Sequence, residues 1–198
     1  MAAAESRSDS SVDSVATALE QLDDLPVADR SGRGSYEREA FGQRWKDVDR
    51  NGCGQRDDAL KAAMTNVQLR PGTHGCVVES GLLHDPYTGE VMDFVKSSTG
   101  GGVDVDHLVP LGHAWQAGAR DWGAERREQF ANDLDNLQPT AASVNRSKGD
   151  APIDAWLPPN KEYRCEYATQ WVEVKSEWAL AVTTSERVFV LDLLARCR

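Results

Sequence analysis

The stretch "VDVDHLVPL" occupies residues 103–111 and mixes two kinds of residue. Val103, Val105, Leu108, Val109 and Leu111 suit a strand and its exit, yet Asp106 and His107 stand side by side in its middle. Successive side chains of a strand point to opposite faces. An adjacent carboxylate and imidazole therefore approach one site from two directions at a distorted strand end. The imidazole titrates near neutrality and takes a proton from water, while the carboxylate binds a hard cation such as Mg²⁺. An isolated Asp-His pair proves little, so the partners must come from elsewhere in the chain.

They follow in order. "NDLDNL" supplies Asn136, and "SVNRSKGD" supplies Asn145 with Lys148 three residues on. The series D-H, N, N-x-x-K resembles the HNH endonucleases, and "FGQRWKDVDRNGC", "DPYTG", "FANDLDNL", "NRSKGD" and "WLPPN" extend that resemblance to a secreted bacterial subgroup over residues 30 to 198. It implies an α+β fold: a ββα-metal core at about 103–150 with additional helices and a short β-hairpin. His107 would be the general base, Asp106 and Asn145 would hold one Mg²⁺ or Mn²⁺, and Asn136 would tie the strands together and orient His107. Lys148, with Arg146 and Arg126 as further candidates, would bind phosphate. The last position of the motif is Asn145 rather than His, and Asp104 adds a carboxylate on the face of Asp106. Asp104 is a candidate ligand or a group supporting one.

Composition bounds the rest. A chain of 198 residues, 40% hydrophobic and 27% charged, fits one domain, expected at 34–198 behind a flexible segment 1–33 rich in Ala, Ser and Asp. No apolar run approaches the roughly 18 residues of a membrane helix. The net charge of −10 excludes nucleic-acid binding by a broad basic surface, because that rests on neutralising phosphates; contact must be local and metal-assisted. Cys53, Cys76, Cys165 and Cys197 contain no C-x-x-C pair, which disfavours a thiolate zinc site. Pairing chain neighbours gives Cys53–Cys76 and Cys165–Cys197, one of three connectivities, and places the protein in an oxidising compartment outside the cell. A reduced cytosolic chain with four buried thiols is the alternative. No basic and apolar leader is visible at the N-terminus.

Along the chain, "DVDRNGCGQRDD" at 47–58 carries the oxygen-ligand spacing of a calcium loop through Asp47, Asp49, Asn51 and Asp58. A turn held by Asx hydrogen bonds explains the same residues. "RDDALKAAMTNVQL" reads as one helix, residues 76–95 as two strands joined through "DPYTG", and "KSSTGGG" as a flexible lead. "PTAASVNRSKGD" reads as a short helix from near Thr140, and the tail as two amphipathic helices. His84 reads as a turn histidine and His113 as one with no catalytic duty. No H-E-x-x-H or similar cluster supports zinc hydrolysis. The expectation is a secreted, monomeric, metal-dependent nuclease acting on DNA, with RNA a second candidate substrate, and with little sequence preference. The competing readings are a non-catalytic, calcium-stabilised HNH scaffold that binds nucleic acid or protein, and an antibacterial nuclease effector.

Overall fold

The structure, a computed structural model, describes residues 2–97 and 102–197, with side chains from residue 13. The flexible lead expected at 96–102 lies largely outside the described residues. In chain order the elements are α1 (Ala2–Asp24), α2 (Gln55–Ala63), β1 (Met64–Leu69), β2 (Val78–His84), β3 (Val91–Val95), β4 (Val103–His107), α3 (Leu111–Gln116), α4 (Ala124–Ala131), β5 (Leu137–Ala141), α5 (Ala142–Lys148), α6 (Arg164–Glu177) and α7 (Thr184–Leu194). The fold is α+β. Strands β1, β2 and β3 form one antiparallel sheet in that order; β4 and β5 form a second, with Asp106 opposite Gln138 and His107 opposite Leu137.

Two hydrophobic cores explain this division. The smaller gathers Ala59 and Leu60 of α2, Met64, Val78, Leu83 and Phe94 of the larger sheet, and Val103, Val105 and Leu137 of the β4–β5 pair. The larger gathers Leu108, Val109 and Leu111 with Phe130, Trp171, Val190, Leu194 and the aromatic set of Tyr87, Tyr163 and Tyr167. The stretch 103–111 thus spends its first valines in one core and its last apolar residues in the other. Asp106 and His107 fall at the seam between them.

Three expectations are corrected. The later part of the segment 1–33 is docked rather than free: Ala18 and Leu22, one helical turn apart on α1, and Leu25 just beyond it are buried in the larger core. Beyond it, Val27 pairs with Val182, and Arg187 donates to the carbonyls of Leu22, Asp23 and Leu25. Second, the helix read through Leu69 stops at Ala63. Thr65 and Val67 are β-branched, and pairing with β2 offers "MTNVQL" a ladder that outweighs helix propensity. Third, Thr140 belongs to β5, and the helix near it starts at Ala142.

The hairpin β2–β3 forms as expected, closed by Asp85 N–H to Glu90 O and Gly89 N–H to Asp85 O. Both tail helices form, and Thr183 with Glu186 makes a capping box on α7. The disulfides are Cys53–Cys76 and Cys165–Cys197. Among the described residues no helix is long and apolar enough to cross a membrane.

Candidate active site

A pocket of about 610 Å³ opens on Asp104, Asp106, His107, Asn145 and Asp150, with Trp45, Arg38, Arg44, Arg56 and Lys96 also lining it. Its position follows from topology. β4 has β5 as its only sheet partner among the described residues, so residues from both of its faces reach the pocket past a free edge.

His107 is held on several sides. Its Nε2 lies 2.9 Å from the Ala131 carbonyl, which accepts only, so that nitrogen carries the proton and Nδ1 keeps its lone pair. Nδ1 has no hydrogen-bond partner among the described residues. The Trp45 ring lies nearly parallel to the imidazole, with centroids 6.2 Å apart. Burial pushes the His107 pKa down to about 3, and the charges of Arg38, Lys148 and Arg44 push the same way, so the ring is neutral at physiological pH.

Asn136 grips the backbone immediately after His107. Its Oδ1 accepts from Val109 N–H at 2.8 Å, its Nδ2 donates to Val109 O at 3.3 Å, and its own carbonyl accepts from Leu108 N–H. On the other face, Asp106 Oδ2 accepts from Lys148 Nζ and from the Tyr87 hydroxyl, each at 2.7 Å. Burial pushes the Asp106 carboxyl up and the Lys148 ammonium down, and their ion pair opposes both shifts. Asn145 Nδ2 donates to Asp104 Oδ2 at 3.3 Å, which leaves the amide oxygen of Asn145 without a hydrogen bond among the described residues. Asp150 reaches the pocket because residue 112 is glycine; a Cβ there would stand 2.7 Å from the Asp150 carboxyl.

The phosphate candidates separate. Lys148 is fully buried against Asp106 and the His107 carbonyl, which it meets at 2.6 Å, so it faces no solvent. Arg126 stacks over Trp122 at 4.5 Å and donates to Trp178 O, and it does not line this pocket. Arg146 is exposed on α5 and also lies outside the lining. The cations that do line it are Arg38, Arg44, Arg56 and Lys96, scattered over 59 positions of sequence without a motif to mark them. Sequence reasoning also missed Tyr87 and Asp85. Asp85 is buried, and its carboxylate accepts from Tyr87 N–H, Thr88 Oγ1, Thr140 Oγ1 and Ala141 N–H, which pins the β2–β3 turn onto β5.

In the 47–58 loop, Asp47, Asp49, Asn51 and Asp58 bond within the loop. Asp47 accepts from Asn51 and Gly52 N–H, and Asn51 Nδ2 donates to Asp49 and Asp58. These are the bonds of an Asx-stabilised turn. Among the described residues no three His, Cys, Asp or Glu side chains gather as a metal cage anywhere. In the pocket, the oxygens of Asp104, Asp106 and the Asn145 amide form a donor set suited to a hard cation that keeps several waters. His113 is buried 3.1 Å from Glu186 and has no place in the pocket.

A family model for the C-terminal domain of GmrSD restriction endonucleases matches residues 54–191. The chain belongs to that family. That family is one of HNH-containing endonucleases, in keeping with the resemblance carried by the sequence. An "Uncharacterized secreted protein" of Arthroderma benhamiae is 35% identical over 188 residues, covering 94% of this chain and 87% of its own length. No solved structure matches the chain.

Proposed function

We propose that the chain is an exported HNH endonuclease in which β4, β5 and α5 form the ββα-metal unit, hydrolysing phosphodiester bonds of DNA, and of RNA as a second substrate, with little sequence preference. One observation carries the reading: the His107 imidazole is neutral, anchored through Nε2, without a hydrogen bond to Nδ1 among the described residues, and lines a pocket with Asp104, Asp106 and Asn145. A general base must be deprotonated and aimed, and this ring is both.

His107 Nδ1 takes the proton of the attacking water. Asn136 fixes the Leu108–Val109 backbone and so the aim of the ring, while Trp45 limits its tilt. Asp106 and Asn145, with Asp104 beside them, would hold one Mg²⁺ or Mn²⁺; such an ion supplies charge neutralisation at phosphorus and on the leaving 3′-oxygen. Lys148 and Tyr87 orient the Asp106 carboxylate through its Oδ2. Export is supported by the two disulfides and by the name of the fungal relative.

Digestion of supercoiled plasmid by wild type and His107→Ala, each with Mg²⁺, Mn²⁺ or EDTA, tests the reading. Cleavage is expected only with a divalent ion and only with His107, with a loss of about 10²-fold or more in the variant. Equal cutting by the variant, or by wild type in EDTA, removes the mechanism.

A further inference from the structure

The pocket has a basic side that the HNH series does not account for. Arg38 sits on a short 3-10 turn, Arg44 in the loop after it and Arg56 at the start of α2, so three separate pieces of chain bring guanidinium groups to one cavity. Acidic residues outnumber basic ones by 32 to 22, yet none of the three has a carboxylate at ion-pair distance among the described residues. Lys96, their neighbour in the lining, is paired with Asp57 at 3.3 Å. Two nearby arginines are engaged elsewhere. Arg120 pairs with Asp121, and Arg127 donates to the carbonyls of Ala40 and Trp122.

Arg38 adds a sharper observation: its Nε is buried and has no hydrogen-bond partner among the described residues. A buried donor without a partner is costly to keep, so an anion that completes its hydrogen bond is favoured there. A guanidinium offers a planar fork of donors that matches two phosphate oxygens. The local backbone is committed to the arrangement. Trp45, next to Arg44, holds φ at 55°, which a bulky side chain rarely adopts, and a Cβ on Gly54 would meet the Trp45 carbonyl at 2.8 Å.

We propose that Arg38, Arg44 and Arg56 form a phosphate-holding wall, gripping the backbone phosphates that flank the scissile bond of a nucleic acid strand laid against His107. The proposal rests on the nuclease reading for the identity of the anion. It adds that most of the grip lies outside the family domain: Arg38 and Arg44 precede residue 54, where the match to that domain begins. The sequence before that point is thus part of the substrate site. It also resolves how a chain of net charge −10 engages a polyanion, by concentrating unpaired cations at one opening.

The test measures binding of a fluorescent mixed-sequence 20-nucleotide DNA, and its RNA counterpart, in EDTA over a range of salt. It compares wild type, Arg38→Ala/Arg44→Ala/Arg56→Ala, the corresponding triple Lys variant, and a charge-matched control, Lys61→Ala/Arg70→Ala/Arg196→Ala, whose sites lie outside the pocket. The pocket triple is expected to bind about tenfold or more weaker. Its log affinity against log salt should lose about 2 units of slope, since each phosphate contact in a single strand contributes about 0.7. The Lys variant should recover a large part of both, and the control should match wild type. In metal-supported cleavage the defect should appear mainly in KM. Equal weakening in the control, or no change in affinity and slope in a pocket triple that melts like wild type, overturns the wall. Wild type that binds through these arginines but never cleaves would sink the nuclease reading and leave the wall standing.

Discussion

At the scale of single residues, the site is an exercise in keeping polar groups in place at the seam of two cores. Lys148 illustrates it. The resemblance made it a phosphate ligand, but the ammonium is fully buried between Asp106 and the His107 carbonyl. Its work is to keep the Asp106 carboxylate charged and oriented despite burial. Lys148→Met would leave that carboxylate buried without its counter-ion, at a cost of about 3–5 kcal/mol. Urea denaturation should show the midpoint fall accordingly, with cleavage lost as well. A loss under about 1 kcal/mol would mean that the ion pair is not buried as described. The spacing N-x-x-K placed Lys148 beside the site; which way a lysine faces depends on what surrounds it, and the Asp106 carboxylate and the Trp156 ring beside its ammonium come from other segments of the chain.

At the scale of elements, the two disulfides do different work. Cys165–Cys197 fastens the start of α6 to the chain just beyond α7, away from the pocket. Cys53–Cys76 ties the loop that follows Arg44 and Trp45 and precedes Arg56 to the segment leading into β2. Removing either by paired Cys→Ser substitution should lower stability by about 2–4 kcal/mol. Only the loss of Cys53–Cys76 is expected to depress cleavage at a temperature where the variants are still folded. Thermal melts beside cleavage rates at 20 °C separate the two, and equal rates in both variants would refute a role for the loop. The boundary between α2 and β1 belongs to this scale too. "KAAMTNVQL" has an apolar pattern that serves either a helix or a strand, and only the arrival of β2 alongside decides for the strand.

At the scale of the molecule, a buried ionic cluster joins segments distant in sequence. Glu186 of α7 lies 3.1 Å from His113 of α3, 3.2 Å from Arg30 and 3.9 Å from Lys175 of α6. Burial holds the His113 pKa down at about 4, and Glu186 sits at about 2, where its own burial is outweighed by His113, Lys175 and the Thr183 N–H. The sign is the same for both. His113 takes up its proton in the unfolded chain near pH 6.5 but in the folded protein only near 4, so stability falls as pH drops through that window. Glu186 contributes stability in full above its unfolded value, near 4.5, and loses it between there and about 2. Melting temperature should therefore decline on acidification below pH 6.5. His113→Gln should reduce the decline between pH 6.5 and 4, leaving the share that His107 contributes with the same sign; an unchanged profile would remove His113 as a cause.

That Asp106, His107 and Asn145 share one pocket was legible in the sequence through a family resemblance, and the cysteine pairing through the order of the cysteines along the chain. So were the β2–β3 hairpin and the two tail helices, whose periodicity and turn residues act over a few positions. The docking of α1, the strand at Met64–Leu69, the inward turn of Lys148, the Asp85 pin and the gathering of Arg38, Arg44 and Arg56 at one pocket were decided only by tertiary structure. Each depends on which residues distant in sequence stand opposite. Burial, pairing and unmet charge are properties of that opposition, and no window of sequence contains them.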